Sequence, residues 1–71
     1  MSVEVKAAMP GMILEVLVNV GDQVMENDEI VMLEIMKMEN PICAPAGGTV
    51  KEIFVNANDV VETGDLLIII E

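Results

Sequence analysis

The sequence predicts an all-β fold built from two similar halves, and three observations support that prediction. Shifting the chain by 37 residues aligns residues 7–34 with residues 44–71 and gives nine identities without a gap. Both halves divide into short runs rich in Val, Ile and Leu, separated by turn-forming residues, which is typical of strands joined by tight turns. No segment has a sustained helical period with capping residues. We therefore expect about four short strands in each repeat, with the two repeats facing each other.

The strand signals occur at equivalent places in the two repeats. Residues 13–18 and 50–55 partly alternate apolar and polar side chains, as half-buried strands do. Residues 30–33 and 67–70 exchange one apolar residue for another at every position, so both segments suit the same element. The identical pairs are Ala7/Ala44, Gly11/Gly48, Glu15/Glu52, Val18/Val55, Asn19/Asn56, Asp22/Asp59, Val24/Val61, Asp28/Asp65 and Glu34/Glu71.

Two mismatched positions predict the turns. Gly21 aligns with Asn58, and Asn27 aligns with Gly64. Gly and Asn are the residues that most readily adopt positive φ, so each repeat is expected to need left-handed backbone at both places. Each of the four residues precedes an aspartate, a combination that favours tight turns.

The segment between the repeats, residues 35–43, is predicted to form a hairpin at one end of the fold. It contains Lys37, which is the sole lysine between residues 7 and 50. We treat residues 1–71 as one domain, because a chain of this length has room for one core.

Composition excludes several classes of function. The net charge of −10 disfavours nucleic acid as a partner, and the longest apolar run, five residues at 66–70, is too short for membrane insertion. The chain has no histidine, one serine and one cysteine, so nucleophile–base pairs and Cys/His metal sites are not expected. A self-contained enzyme is therefore not expected. The lone cysteine and the missing apolar leader favour the cytoplasm.

Lys37 is the candidate functional residue. A catalytic lysine is activated by burial or by a neighbouring cation, whereas the nearest charges along the chain are Glu34 and Glu39. Met36 and Met38 share one face if this segment is a strand, and flexible apolar side chains beside an exposed amine suit a surface that another protein reads. We therefore expect Lys37 to be an attachment point.

The hexapeptide Glu34-Ile35-Met36-Lys37-Met38-Glu39 resembles the attachment motif of biotinyl carrier domains, in which the central lysine receives biotin in amide linkage. Ile35 stands where that family usually has a small residue. The resemblance extends without a gap over residues 5–71. It includes the segments 8–11, 20–24 and 44–50, which resemble the family's first-strand entry, first turn and chain after the hairpin.

The resemblance implies a barrel-sandwich hybrid: a flattened β-barrel or sandwich of two four-stranded antiparallel sheets, with Lys37 at a hairpin tip. It implies a non-catalytic biotin carboxyl carrier whose swinging arm moves a carboxyl group between enzyme sites. The donor site would be a biotin carboxylase, and the acceptor site a carboxyltransferase or decarboxylase. The implied modifying enzyme is a biotin protein ligase, and the residues implied to be recognised by ligase or partner are Glu34, Met36, Met38 and Glu39.

Two other functions remain open on the sequence. A lipoyl carrier would also use a hairpin lysine, but lipoyl hairpins usually place an acidic residue before the lysine and a small one after it. Here both neighbours are methionine. An unmodified β-module that binds another protein is the second alternative, and it would keep its function when Lys37 is replaced by alanine.

Overall fold

The computed structural model describes residues 2–71 and folds them into eight β-strands. The strands are β1 (Val3–Lys6), β2 (Gly11–Val16), β3 (Gln23–Val24), β4 (Glu29–Ile35), β5 (Met38–Cys43), β6 (Gly48–Ile53), β7 (Val60–Val61) and β8 (Leu66–Ile70). This part of the chain contains no helix, and hence none long and apolar enough to cross a membrane. The predicted all-β class is confirmed.

The strands form two four-stranded antiparallel sheets, as the fold class requires. The first sheet has the order β1-β8-β6-β3, and the second has the order β5-β4-β2-β7. Advancing 37 residues along the chain moves β2 onto β6 and β3 onto β7 with identical bounds. The same shift moves β4 onto β8 and β1 onto the last four residues of β5. Each strand and its equivalent in the other repeat therefore lie in different sheets.

The arrangement of the repeats differs from the expectation that they face each other. Each sheet takes two strands from the first repeat and two from the second, so the halves interleave. The sequence pattern shows which faces are apolar but not which strands pair, because periodicity contains no information about the partner strand.

The core lies between the two sheets and uses equivalent positions of both repeats. Its largest fully buried side chains are less than 2% exposed: Ile13, Ile30, Val31, Leu33, Val50, Leu67, Ile68 and Ile70. These eight residues make up four pairs related by the 37-residue shift. Burial of this apolar surface is the main contribution to folding, and neither repeat could achieve it alone.

Four turns with one geometry connect the strands. In each turn an aspartate Oδ2 accepts a 2.8 Å hydrogen bond from the N–H three residues earlier. The aspartate N–H donates to the carbonyl oxygen of that same residue at 3.0–3.1 Å. The residue before each aspartate has positive φ: Gly21 95°, Asn27 75°, Asn58 77° and Gly64 90°. Left-handed backbone is present at all four predicted positions, and the pattern is that of a type II turn.

The molecule measures 32 × 17 × 17 Å, and its two ends differ. We call the β4–β5 turn at residues 36–37 the tip. From there β5 leads back to Ala44, whose N–H donates to the Asp28 carbonyl at the start of β4. Thr49 then exchanges two 2.8 Å backbone hydrogen bonds with Glu71. We call this opposite end the base; seven residues of β4, about 23 Å of strand, separate it from the tip.

Candidate functional site

The tip is the turn of a tight two-residue hairpin. Ile35 at the end of β4 pairs with Met38 at the start of β5, which leaves Met36 and Lys37 as the loop. Their φ angles are 52° and 67°, and positive φ at both loop residues defines a type I′ turn. The expectation that Met36 and Met38 share a strand face is wrong, because Met36 lies in the turn and only Met38 in a strand. The segment predicted to form a hairpin, residues 35–43, does form one: it comprises the end of β4, the turn and all of β5.

The residues of this turn are unusual for their backbone conformation. Type I′ turns are dominated by Asn-Gly and similar pairs, because a Cβ atom makes left-handed backbone unfavourable. Here the two positions hold Met36 and Lys37. Strained backbone of this kind costs about 1–3 kcal/mol per residue and concentrates at functional sites. The turn therefore indicates that these side chains serve something other than hairpin stability.

The turn exposes both of its side chains. Met36 is 87% exposed and the neighbouring Met38 is 68% exposed, while Lys37 is exposed between them. Within residues 2–71, Lys37 has no ion pair or side-chain hydrogen bond. The other two lysines do: Lys6 lies 3.5 Å from a Glu4 carboxylate oxygen, and Lys51 lies 2.8 Å from one of Glu71. Lys37 thus presents a free primary amine at the extreme of the molecule.

Two carboxylates flank the tip on the same pair of strands. Glu34 of β4 and Glu39 of β5 are direct cross-strand partners, so their side chains project from the same face. Glu34 is half-buried and Glu39 is exposed, and in the described chain no lysine lies within 4.0 Å of either carboxylate. Like charges directly opposite each other are unfavourable, so this pair adds a second destabilising feature to the hairpin.

The structure brings together part of the predicted set of site residues. Glu34, Met36, Lys37, Met38 and Glu39 meet at the tip. The predicted turn residues Gly21, Asn27, Asn58 and Gly64 lie in the connecting turns and shape the fold. Ile35 is half-buried and packs against the core, so the family's small residue is replaced here by an inward-facing apolar one.

Sequence reasoning missed two neighbours of the hairpin on the second sheet. Met12 of β2 pairs with Glu34, and Val60 of β7 pairs with Met12, so both continue the line of side chains that starts at Glu39. Val60 is 74% exposed and Met12 is half-buried. The repeat alignment contained a signal for them, because it pairs Met12 with Thr49 and Val60 with Gln23, an apolar residue against a polar one each time.

The hairpin end of β4 is also held by a close backbone approach. A Cβ atom at Gly11 would collide with the backbone carbonyl oxygen of Glu34, so a side chain at this position would displace the strand that presents the tip. Gly11 is thus required by proximity. At Gly21 and Gly64, by contrast, a Cβ atom would meet no neighbour, so φ alone selects glycine there.

The chemistry available at the tip is acylation of an exposed amine. Among residues 2–71 no group of three or more His, Cys, Asp or Glu side chains could hold a metal ion. Cys43 is exposed at the end of β5, an edge strand, and lies at the opposite end of that strand from Lys37. An unobstructed lysine on a two-residue turn suits a group held through an amide bond, because nothing nearby would have to move.

Comparison with known proteins identifies the family. The family model described as "Biotin-requiring enzyme" matches residues 3–70. The biotin carboxyl carrier protein of Streptococcus mutans is 56% identical over 64 residues, which are 90% of this chain and 49% of that protein. A biotinylated protein TB7.3 homolog of Mycobacterium leprae is 41% identical over 70 residues, 99% of both chains.

A solved structure contains the same fold. The crystal structure of Kluyveromyces lactis urea carboxylase matches all of this chain with a TM-score of 0.94 at 30% identity, over 6% of the length of that enzyme. The chain thus spans about half of the Streptococcus carrier and a small part of this carboxylase. The chain belongs to the family of biotin-requiring enzymes and is a biotinyl carrier domain.

Proposed function

We propose that Lys37 is the residue that bears biotin, and that the chain acts as the carrier of a biotin-dependent carboxylase, transcarboxylase or decarboxylase. An amide bond would form between Lys37 Nζ and the carboxyl group of biotin, with loss of water, and a biotin protein ligase would drive the reaction with ATP. The single observation that supports this site most is the type I′ turn that holds an unpaired lysine at the tip.

The role of the chain's own residues is presentation. Lys37 would hold biotin, which would supply the chemistry of carboxyl transfer between two enzyme sites. The side chain of Lys37 and the attached group would together reach roughly 14 Å from the Lys37 Cα. The domain itself would therefore have to move wherever the two enzyme sites lie farther apart than this arm can span. Tethering would raise the local concentration of the reacting group at both sites.

The partners follow from this role. We propose a biotin carboxylase and a carboxyltransferase or decarboxylase as the enzymes that the arm visits, and the cytoplasm as the compartment. Support comes from the urea carboxylase and the biotin carboxyl carrier protein whose chains contain a segment similar to this one. The net charge of −10 favours partners with basic contact surfaces.

Mass spectrometry of the intact chain tests the attachment site. After incubation with a biotin protein ligase, biotin and ATP, we expect the mass of one biotin less one water on the wild-type chain and no addition on Lys37→Arg. Arginine keeps the positive charge and the length of the side chain, so loss of the adduct would report the missing amine and not a changed fold.

The other two lysines are matched controls. Lys6→Arg and Lys51→Arg remove an amine of the same chemistry outside the hairpin, and both variants should be modified as fast as the wild type. Modification of Lys37→Arg at a rate comparable to the wild type would contradict the proposed site. An adduct formed only with a lipoate ligase would replace the biotin carrier by a lipoyl carrier, and no adduct with either ligase would leave an unmodified binding module.

A further inference from the structure

Four side chains form one line across the outer face of the second sheet, next to the tip. Cross-strand pairing joins Glu39 to Glu34, Glu34 to Met12, and Met12 to Val60. Cross-strand partners project from the same face of a sheet. We call this line the tip row. The inward neighbours in the same strands, Leu33, Ile13 and Val61, are at most 3% exposed, which confirms that the tip row faces outward.

The repeat places an equivalent line on the other sheet, at the base. Subtracting or adding 37 residues converts the tip row into Ser2, Glu71, Thr49 and Gln23, which we call the base row. Its members bond to each other: Ser2 Oγ donates to Glu71 Oε2 at 2.9 Å, and Gln23 Nε2 donates to Thr49 Oγ1 at 2.7 Å. Lys51 Nζ adds an ion pair with Glu71 at 2.8 Å. Each polar side chain of the base row therefore has a hydrogen-bond or ion-pair partner.

The tip row lacks each of these compensations. A second carboxylate, Glu39, faces Glu34 where Ser2 faces Glu71. Leu14 takes the position of Lys51, so the cation is replaced by an apolar side chain. Met12 and Val60 replace the bonded Thr49 and Gln23. The fold is compatible with a satisfied polar row at this position, as the base shows, so the open apolar and acidic character of the tip row is not a requirement of folding.

The family resemblance already implies that Glu34 and Glu39 are recognised by the ligase or a partner. We propose that the cofactor-attaching ligase also docks on the neighbouring apolar side chains of Met12, Leu14 and Val60, so that its contact continues from the hairpin across the second sheet. This inference rests on the proposed function and extends it to residues outside the hairpin. Glu34 and Glu39, which no lysine of residues 2–71 contacts, supply charge complementarity to a basic ligase surface. The exposed Val60 and the half-buried Met12 and Leu14 supply the apolar contact area.

Reach distinguishes the ligase from the enzymes that the arm visits later. The unmodified lysine side chain extends only about 6 Å from its Cα, whereas the modified arm extends roughly 14 Å. An enzyme that acts on the bare amine must bring its own surface against the tip. Val60 lies two strands from Glu34, about 10 Å at ordinary strand spacing, and so falls within the footprint of such an enzyme. The visiting enzymes can act with the domain surface farther away.

Steady-state kinetics of biotinylation by a biotin protein ligase tests this surface. The double variant Met12→Thr/Val60→Gln copies the base row into the tip row, using residues that the fold already accommodates at equivalent positions. We expect its KM as a ligase substrate to rise about tenfold with kcat changed by less than about twofold, because the change removes binding and leaves Lys37 untouched. Glu39→Ser should likewise raise KM, and should make KM less sensitive to added salt.

The base row provides the matched control. Thr49→Met/Gln23→Val makes the reverse exchange at the other end of the molecule and should leave KM unchanged. Thermal unfolding of all variants checks that each is folded at the assay temperature. If the wild-type chain is biotinylated and the tip-row variant has the same KM, the proposed docking surface is wrong and the proposed function stands. A wild-type chain that takes up no biotin would overturn the proposed function and this inference together.

Discussion

At the scale of single residues, the tip combines features that each oppose hairpin stability. Met36 and Lys37 have left-handed backbone although neither is glycine or asparagine, and Glu34 faces Glu39 with no lysine of residues 2–71 paired to either. A residue chosen for the turn alone would be Asn or Gly. Under the proposed function the Lys37 amine has to lie at the turn to be reached by other proteins, and the local cost would then be the result of presenting that side chain.

Met36→Asn tests this cost. Asparagine adopts left-handed backbone more readily than methionine, so we expect the free energy of unfolding to rise by about 1 kcal/mol, measured by urea denaturation. Met38→Asn is the control, because Met38 lies in β5 and not at a positive-φ position. That variant should not gain stability, and an equal gain in both would mean that the backbone of residue 36 is unstrained.

The sequence singled out Lys37 as the candidate residue but did not predict its backbone conformation. The lone lysine between the repeats and the two flanking methionines were readable from the sequence. The type I′ turn was not, because its usual signal is Asn-Gly and neither residue is present. The left-handed positions at 21, 27, 58 and 64 were predictable because the repeats exchange Gly for Asn there, which leaves positive φ as the shared property.

At the scale of elements, the β1–β8 and β5–β4 pairs are equivalent in register but not in electrostatics. At the base, the pKa of Glu71 is lowered, chiefly by the hydrogen bond from Lys51 and then by that from Ser2. The same pair raises the pKa of Lys51, with the hydrogen bond to Glu71 as the largest cause. At the tip, Glu34 has no such partner within the described residues. One end of the fold is therefore stabilised by its charges, and the other is not.

Glu71→Gln and Glu34→Gln should shift stability in opposite directions at neutral pH. A carboxyl group whose pKa is lowered by folding stabilises the fold above its unfolded pKa, and the contribution is lost as pH falls through the folded pKa. The Glu71→Gln variant should therefore unfold at a lower urea concentration than the wild type at pH 7, and the difference should shrink as the pH falls through the lowered pKa of Glu71. Glu34→Gln should gain a few tenths of a kcal/mol at pH 7, because it removes the repulsion from Glu39. Destabilisation by both would show that the two rows are electrostatically alike.

At the scale of the whole molecule, the two repeats form one structure and not two. Every sheet contains strands of both halves, and β1 pairs with β8 from the far end of the chain. This interleaving was beyond the sequence, because the repeat predicts equivalent strands and leaves their partners undetermined. The fold class itself was predictable, because short apolar segments between tight turns and without a helical period form β-strands.

Separated halves test the interleaving. Peptides covering residues 1–36 and 37–71 should each be disordered alone, because neither can form a four-stranded sheet or bury its apolar face. Mixed in equal amounts, they should regain the circular dichroism spectrum of the intact chain. The midpoint of thermal unfolding of this complex should rise with peptide concentration. A half that folds as a monomer would contradict the interleaved topology.

The 37-residue symmetry also has an evolutionary consequence. Two copies of a single ancestral repeat, associating with this topology, would form a homodimer with a twofold axis and two identical apices. Duplication and fusion would place the linking turn at one apex and the outer ends of the two repeats at the other, so that the two apices could diverge. The hydrogen-bonded row of Ser2, Glu71, Thr49 and Gln23 then corresponds to the apex that was closed, and Lys37 to the one that was kept open.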